Sequence, residues 1–374
     1  RRSSDLMFVL SFMIGIRRVK EERRHFHVRV YDVASDLIQT VVPGLAVGGV
    51  LSLFFVGIGL ALPEGVIVLL MSVMFLLGLP LRPLFLSPSV VMAVILLVSF
   101  FLPEADSNAA WLNRWIHEIQ SVSYTSYFLL LASLLLAESS LILWQAKKQP
   151  SPRLIQSKRG KMIGVFETKR LWLVPAFILV PGLGLERFGW WPLFSDSDHF
   201  SMFLVPFVIG FQQFVTFTLP ERAIQREGRM FAAYAVIVFP YAVASALLDW
   251  EWVAFAGIGL SLVVRLGLAA WIRRENRLRP FYFGEQHDGL MILGIIPHTP
   301  AAKMNVKIGE VVQKVNGVPV KHPDDFYRAL QSNAAFCKLE IRDENGEVRY
   351  EQRALYHDDH HELGLLFANE RRLR

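Results

Sequence analysis

Cysteine is nearly absent from this chain. Cys337 is the only one in 374 residues, which excludes an internal disulfide framework and a thiolate metal site. A zinc-protease helix is missing too. The two His-Glu pairs, His117-Glu118 and His361-Glu362, have Ser121 and Leu365 four residues after the histidine, so neither completes the His-Glu-x-x-His set. There is no Gly-x-Ser-x-Gly elbow, which removes one common serine-hydrolase signature, and no nucleotide-binding loop. The run His357-Asp-Asp-His-His361 reads as exposed loop residues rather than a metal centre. No constellation supports catalysis, a cofactor or a metal. The net charge is +6, but the basic residues lie between apolar segments, so they do not form a nucleic-acid-binding patch.

What is present in excess is apolar surface. The chain is 53% hydrophobic, against roughly 45–50% in a soluble domain. The excess lies before residue 273, and the remainder is charged and ordinary. This predicts two regions, a membrane region and a soluble domain of about 100 residues. Arg1-Arg-Ser-Ser-Asp5 lacks an initiator Met and reads as the start of a fragment, so no secretory signal is judged. Leu6–Ile16 is then the end of a cut span. Long apolar runs follow at about 44–62, 64–79, 88–102, 124–144, 171–188, 200–219, 229–248 and 252–272. Backbone groups in lipid must be satisfied internally, so all eight are expected to be helices.

The connections set the orientation. If Arg273 onward is cytoplasmic, the inside connections carry 22 Lys or Arg, and the outside connections carry only Arg114 and Arg187. This is the positive-inside asymmetry. All nine tryptophans lie at or near expected span ends, where amphipathic rings prefer the headgroup zone. Trp111–Ile119 reads as a short helix in the outer interface. Glu138, Gln212, Gln213 and Arg265 fall inside expected spans. Their separation in sequence and nearness to basic helix ends favour snorkelling over a transport site. The segment Arg17–Arg24 has mixed charge and reads as a solvated helix end. The loop 145–170 holds Lys147, Lys148, Arg153, Lys158, Arg159 and Lys161 among eight basic residues. It is expected to set topology and face anionic lipid or a partner.

After the basic linker 273–280 comes Gly289-Leu-Met-Ile-Leu-Gly-Ile-Ile-Pro-His-Thr-Pro-Ala-Ala-Lys-Met-Asn-Val-Lys-Ile-Gly-Glu-Val-Val-Gln-Lys-Val-Asn-Gly317. A strand over 290–296, a short helix from Pro300, a strand over 310–315 and the turn Asn316-Gly317 are legible in it. Val318–Val320, a helix begun by Asp324 and Asp325, strands at 336–341 and 347–355, and a last strand at 362–367 follow. The opening order resembles the bacterial PDZ domain, with Asn305 where the pattern has Gly and Glu310 where it has Asp. Asn tolerates a left-handed conformation best, so the first departure is mild.

That resemblance implies an extended peptide added to a sheet edge beside a helix. A glycine loop, usually written Gly-Leu-Gly-Phe, would hold its carboxylate. Two places offer that loop. Tyr282-Phe283-Gly284-Glu285 precedes the first strand, with few residues left for a binding strand. Leu363-Gly364-Leu365-Leu366, followed by Phe367, is closer to the pattern and requires the permuted order known in bacterial PDZ domains. The second is preferred, with Phe326 and Leu330 of the helix facing it. The alternative is that 363–367 is only a core edge strand.

The fold class is therefore a multi-span α-helical membrane protein with a C-terminal α+β PDZ-like domain. Residues 1–272 form the polytopic region, 273–280 the linker and 281–370 the cytoplasmic domain. With Arg29-Val-Tyr-Asp-Val33, Ser157-Lys-Arg-Gly-Lys161 and Arg170-Leu-Trp-Leu-Val-Pro175, the chain resembles the MinJ family of cell-division topology proteins of Gram-positive rods. The resemblance implies a non-enzymatic scaffold at septum and poles. It would link the polar coiled-coil protein DivIVA to the MinD ATPase at the membrane lipid. The rival reading is a PDZ-regulated transporter or intramembrane protease-like protein.

Overall fold

The computed structural model describes residues 33–103, 109–148, 150–157, 160, 162–194, 197–284, 286, 288–333, 336–354 and 363–368. Leu6–Ile16, Arg17–Arg24, most of Arg29–Val33, Lys158, Arg159, Lys161, Glu285 and His357–His361 lie outside the described residues.

Among the described residues, four helices are long and apolar enough to cross a membrane. They are α1 (Val33–Ile58), α5 (Tyr124–Leu141, extended by a π turn to Ala146), α6 (Pro220–Leu247) and α7 (Glu251–Leu278). Two shorter apolar helices, α2 (Glu64–Gly78) and α3 (Pro88–Phe101), lie between α1 and α5. The Trp111 segment is helical, as expected. It forms α4 (Ala110–Ser121), where Glu118 accepts from the Gly65 amide at 2.7 Å and Arg114 meets Glu64 at 2.8 Å. These contacts place an acceptor and a charge pair at the orphan donors of the α2 N-terminus. α5 runs through the middle of the helical core, with Tyr127 to Leu135 all buried.

Two of the eight expected helices are strands. The runs 171–188 and 200–219 lie in β2 (Met162–Glu186) and β3 (His199–Val215), which pair antiparallel. The reason is legible in retrospect. Pro175, Pro181 and Pro206 each remove a helix donor and clash with the preceding turn, at about 3 kcal/mol apiece. In the hairpin, Pro175 stands opposite Pro206, so two missing donors share one register position. The demand that backbone be satisfied away from water is met in part by covering the β2 edge and, at one point, β3. α1 lies along β2, so close that a Cβ on Gly44 would stand 1.8 Å from the Leu173 carbonyl oxygen, and one on Gly48 2.2 Å from that of Pro175. Ser52 accepts from the Phe177 amide at 2.9 Å, and the Leu62 amide donates to Leu179 at 2.9 Å. The short 3-10 turn Pro83–Leu86 covers β3 at Gly210, whose Cβ would meet the Pro83 carbonyl at 2.0 Å. Part of the basic loop is a strand. β1 (Ser151–Gln156) pairs with the start of β2, Ser151 opposite Glu167.

The C-terminal domain follows the expected order. It runs β4 (Leu290–Ile295), a 3-10 turn at Ala301–Lys303, β5 (Val311–Val315), β6 (Val318–Pro319), α8 (Pro323–Gln331), β7 (Phe336–Arg342), β8 (Val348–Ala354) and β9 (Leu365–Phe367). Asn316 (φ 51°) and Gly317 (φ 84°) both take positive φ, as a tight hairpin turn requires. Asn305 does not, so the chain asks nothing left-handed of it and its replacement of Gly carries no backbone strain. The α8 N-terminus is capped by Asp325, which accepts from the His322 amide at 3.2 Å.

The domain has two apolar faces. One encloses its own core around Ile292, Val312, Phe326, Leu339 and Phe367. The other, with Met291, Leu293, Val311 and Leu366, packs on Leu154, Phe166 and Val215 of the β1–β2–β3 sheet.

Candidate peptide-binding edge

The sheet of the C-terminal domain runs β8–β7–β5–β4–β9, with β6 paired to β5. β9 ends the ladder, and among the described residues no strand lies on its other side. It pairs antiparallel to β4, with Ile292 opposite Phe367, Gly294 opposite Leu366 and Ile295 opposite Leu365.

The approach to β9 is built around Gly364. Its φ is +90°, a region L side chains rarely enter, and a Cβ there would stand 2.2 Å from Thr299 Oγ1. Thr299 Oγ1 itself donates to the Ile296 carbonyl at 2.6 Å. The Leu363 carbonyl accepts from the Ala301 amide and that of Gly364 from Ile296, each at 2.9 Å. The loop is thereby tied to the turn at Pro300.

Leu363, Leu365 and Phe367 are buried in one core with Phe326 and Leu330. The Phe326 and Phe367 rings meet edge-on at 4.8 Å. The residues expected to line a groove are thus packed against one another. Among the described residues no strand pairs with the outer side of β9, yet Leu363 and Leu365 to Ala368 are each at most 3% exposed, main chain included.

Tyr282, Phe283 and Gly284 have a different place. The Tyr282 amide donates to the Thr216 carbonyl at 2.9 Å, and the Phe283 carbonyl accepts from the Gly164 amide at 2.8 Å. The Phe283 ring is fully buried, 4.9 Å from that of Phe166. Burial raises the Tyr282 phenol above its usual range, with Glu344 adding to the effect. This segment is a clasp between the domain and the membrane region.

Among the described residues of the basic loop, Lys147, Arg153 and Lys169 lie in ion pairs within the chain. Arg153 meets Glu167 at 2.6 Å, which also takes Lys169 at 3.1 Å and the Gln212 amide at 2.9 Å. Lys147 lies 3.6 Å from Glu221. Lys148 is exposed, and its carbonyl accepts from Arg170.

One constellation escaped the sequence reading. Glu138 and Arg265, far apart in sequence, are brought together with Glu227 and Ser87. Arg265 lies 3.5 Å from Glu138 and 3.9 Å from Glu227. Its guanidinium stacks 4.4 Å above the Phe231 ring, and Ser87 donates to Glu138 at 3.1 Å. All four are nearly or fully buried. The signal that pointed here was two opposite charges in two different apolar runs.

A PDZ domain model matches residues 291–342. The chain is 37% identical over 366 residues to the cell division topological determinant MinJ of Bacillus subtilis (strain 168), covering 97% of this chain and 91% of that protein. It is 24% identical over 225 residues to the probable cell division topological determinant MinJ of Lacticaseibacillus paracasei, covering 59% of each chain. No solved structure gives a significant match. Identity at this level along nearly the whole length, with the PDZ domain in its place at the C-terminal end, means that the chain belongs to the MinJ family of cell division topological determinants.

Proposed function

We propose that this protein is a non-enzymatic membrane scaffold in division-site selection. It recruits cytoplasmic regulators to septum and poles, with a DivIVA-like coiled-coil protein and a MinD-like ATPase as partners. The observation that carries the reading is β9, the last strand of the PDZ sheet, whose outer side pairs with no strand among the described residues. It follows a glycine loop on a domain docked to a region with four candidate spans. An extended peptide would join that edge through main-chain hydrogen bonds, with its terminal carboxylate at Leu363–Leu366 rather than at the engaged clasp 282–284. The cytoplasmic placement of the domain draws on the basic connections. The hairpin does not disturb that assignment, because an antiparallel pair brings the chain back to the side from which it started.

The experiment is a pull-down with purified partners of both types. It compares the intact chain with a Gly364→Val variant and with a chain lacking 280–374. Loss of one partner in both altered chains supports the edge. Retention of every partner by the truncated chain overturns it.

A second reading has one observation behind it. Gathered charges inside apolar helices mark transport pathways, and Glu138, Glu227 and Arg265 are gathered. Solute flux in liposomes without binding to any division protein would favour a PDZ-regulated transporter.

A further inference from the structure

We propose that the β1–β2 hairpin of the membrane region orders the PDZ edge strand, so that undocking the domain dissolves β9 while the rest of the domain stays folded. The meaning of that edge as a peptide site rests on the function proposed above, but the coupling itself does not.

β9 is three residues long, has three paired positions with β4, and its register shifts between Ile292 and Gly294. A strand so short and terminal holds poorly on its own ladder. Its side chains alternate between two cores. Leu365 and Phe367 enter the domain's own core. Leu366 enters the interface with Leu154, Phe166 and Leu293.

The opposing backbone is pressed from the hairpin side. At Gly294, the partner of Leu366, a Cβ would stand 3.0 Å from Leu366 Cδ1 and 3.4 Å from Pro152 Cγ of β1. At Gly164 of β2 a Cβ would stand 2.4 Å from Leu293 Cδ1. The surfaces meet this closely because both positions are glycine. The clasp bonds of Tyr282 and Phe283 and the pair Arg222–Glu344 at 2.7 Å hold the dock shut.

β5 gives the interface only its first residue, Val311, and β7 gives it none. They lie inside the ladder with partners on both sides. Docking therefore contributes to β9 out of proportion to the rest of the domain. β2 also continues from the dock at Phe166 into the stretch against α1 at Leu173 and Pro175. A shift of α1 would reach the peptide edge along one continuous strand, which gives coupling between two sites a physical carrier.

The test needs no peptide. Amide hydrogen exchange is followed in the full chain in nanodiscs, comparing the wild type with Gly164→Val and with the milder Leu154→Ala. Residues 282–284 report whether the dock has opened. The expected result is exchange at 363–368 faster by about ten- to a hundredfold, the loss of one buried Leu contact, with 312–315 and 336–342 unchanged. Unchanged exchange at 363–368 with an open clasp overturns the proposal. So does equal acceleration across 312–315, because the dock would then support the whole domain rather than its edge. Failure of every partner to bind Leu363–Leu366 would refute the peptide reading and leave the exchange result standing.

Discussion

Replacing Arg265 by Met removes the cation from between two buried carboxylates. Glu138, Glu227 and Arg265 are exposed by only 0%, 5% and 3%. At separations of 3.5 and 3.9 Å, each attraction is worth about 4–5 kcal/mol at an effective dielectric constant of about 20. The desolvation of three ions opposes most of this. Removing the shared partner leaves that opposing cost unbalanced, and such deletions destabilise by about 3–5 kcal/mol. For a region of this size that is a fall in Tm of about 6–20 °C. Tryptophan fluorescence is the right assay, because all nine tryptophans lie at or before Trp271 and none reports on the PDZ domain. The combined variant Glu138→Gln, Glu227→Gln, Arg265→Met is expected to recover most of the loss. A single variant that melts within about 2 °C of the wild type would show that the cluster is not held as a charged unit, and the reasoning would fail.

Gly364→Val is expected to destabilise the end of the domain by about 1–2 kcal/mol from the left-handed φ alone, and by more from the clash with Thr299. Thermal exposure of Cys337 to a maleimide dye measures this directly. Gly44→Val should part α1 from β2 and lower the tryptophan-reported Tm with little change in the Cys337 signal. Burial pushes the Cys337 thiol up to about 12 from an ordinary 9.0. Its folded pKa lies above the unfolded one, so its contribution is complete below about pH 9 and is lost as pH rises toward 12. The wild-type domain should therefore lose stability more steeply over that window than Cys337→Ala, in urea titrations of the full chain.

The C-terminal domain was legible nearly element by element. Its helix is short and amphipathic, its strands alternate, and Asn316-Gly317 and Gly364 stand where φ must be positive. Each of these is a local rule written in a few neighbouring residues. The last strand was legible too, since Leu363-Gly364-Leu365-Leu366 stands out by type and spacing. That its side chains are core rather than open groove was not, because burial depends on what α8 brings opposite.

The hairpin β2–β3 shows where local reading stops. An apolar run of about 18 residues nearly free of charge satisfies the hydropathy of a spanning helix and of a covered strand equally. Pro175, Pro181 and Pro206 were visible, but what they decide depends on α1 offering Gly44, Gly48 and Ser52 to the strand edge. The sequence alone determined the apolar character of the first 272 residues, the basic sidedness of its connections and the order of the PDZ domain, because these follow from composition and short spacings. Only the tertiary structure decided that two runs are strands, that Glu138, Glu227 and Arg265 meet, and that Tyr282-Phe283 packs on the β1–β2–β3 sheet. Each of those depends on backbone edges and buried charges finding partners far away in sequence, without which they would pay the cost of desolvation alone.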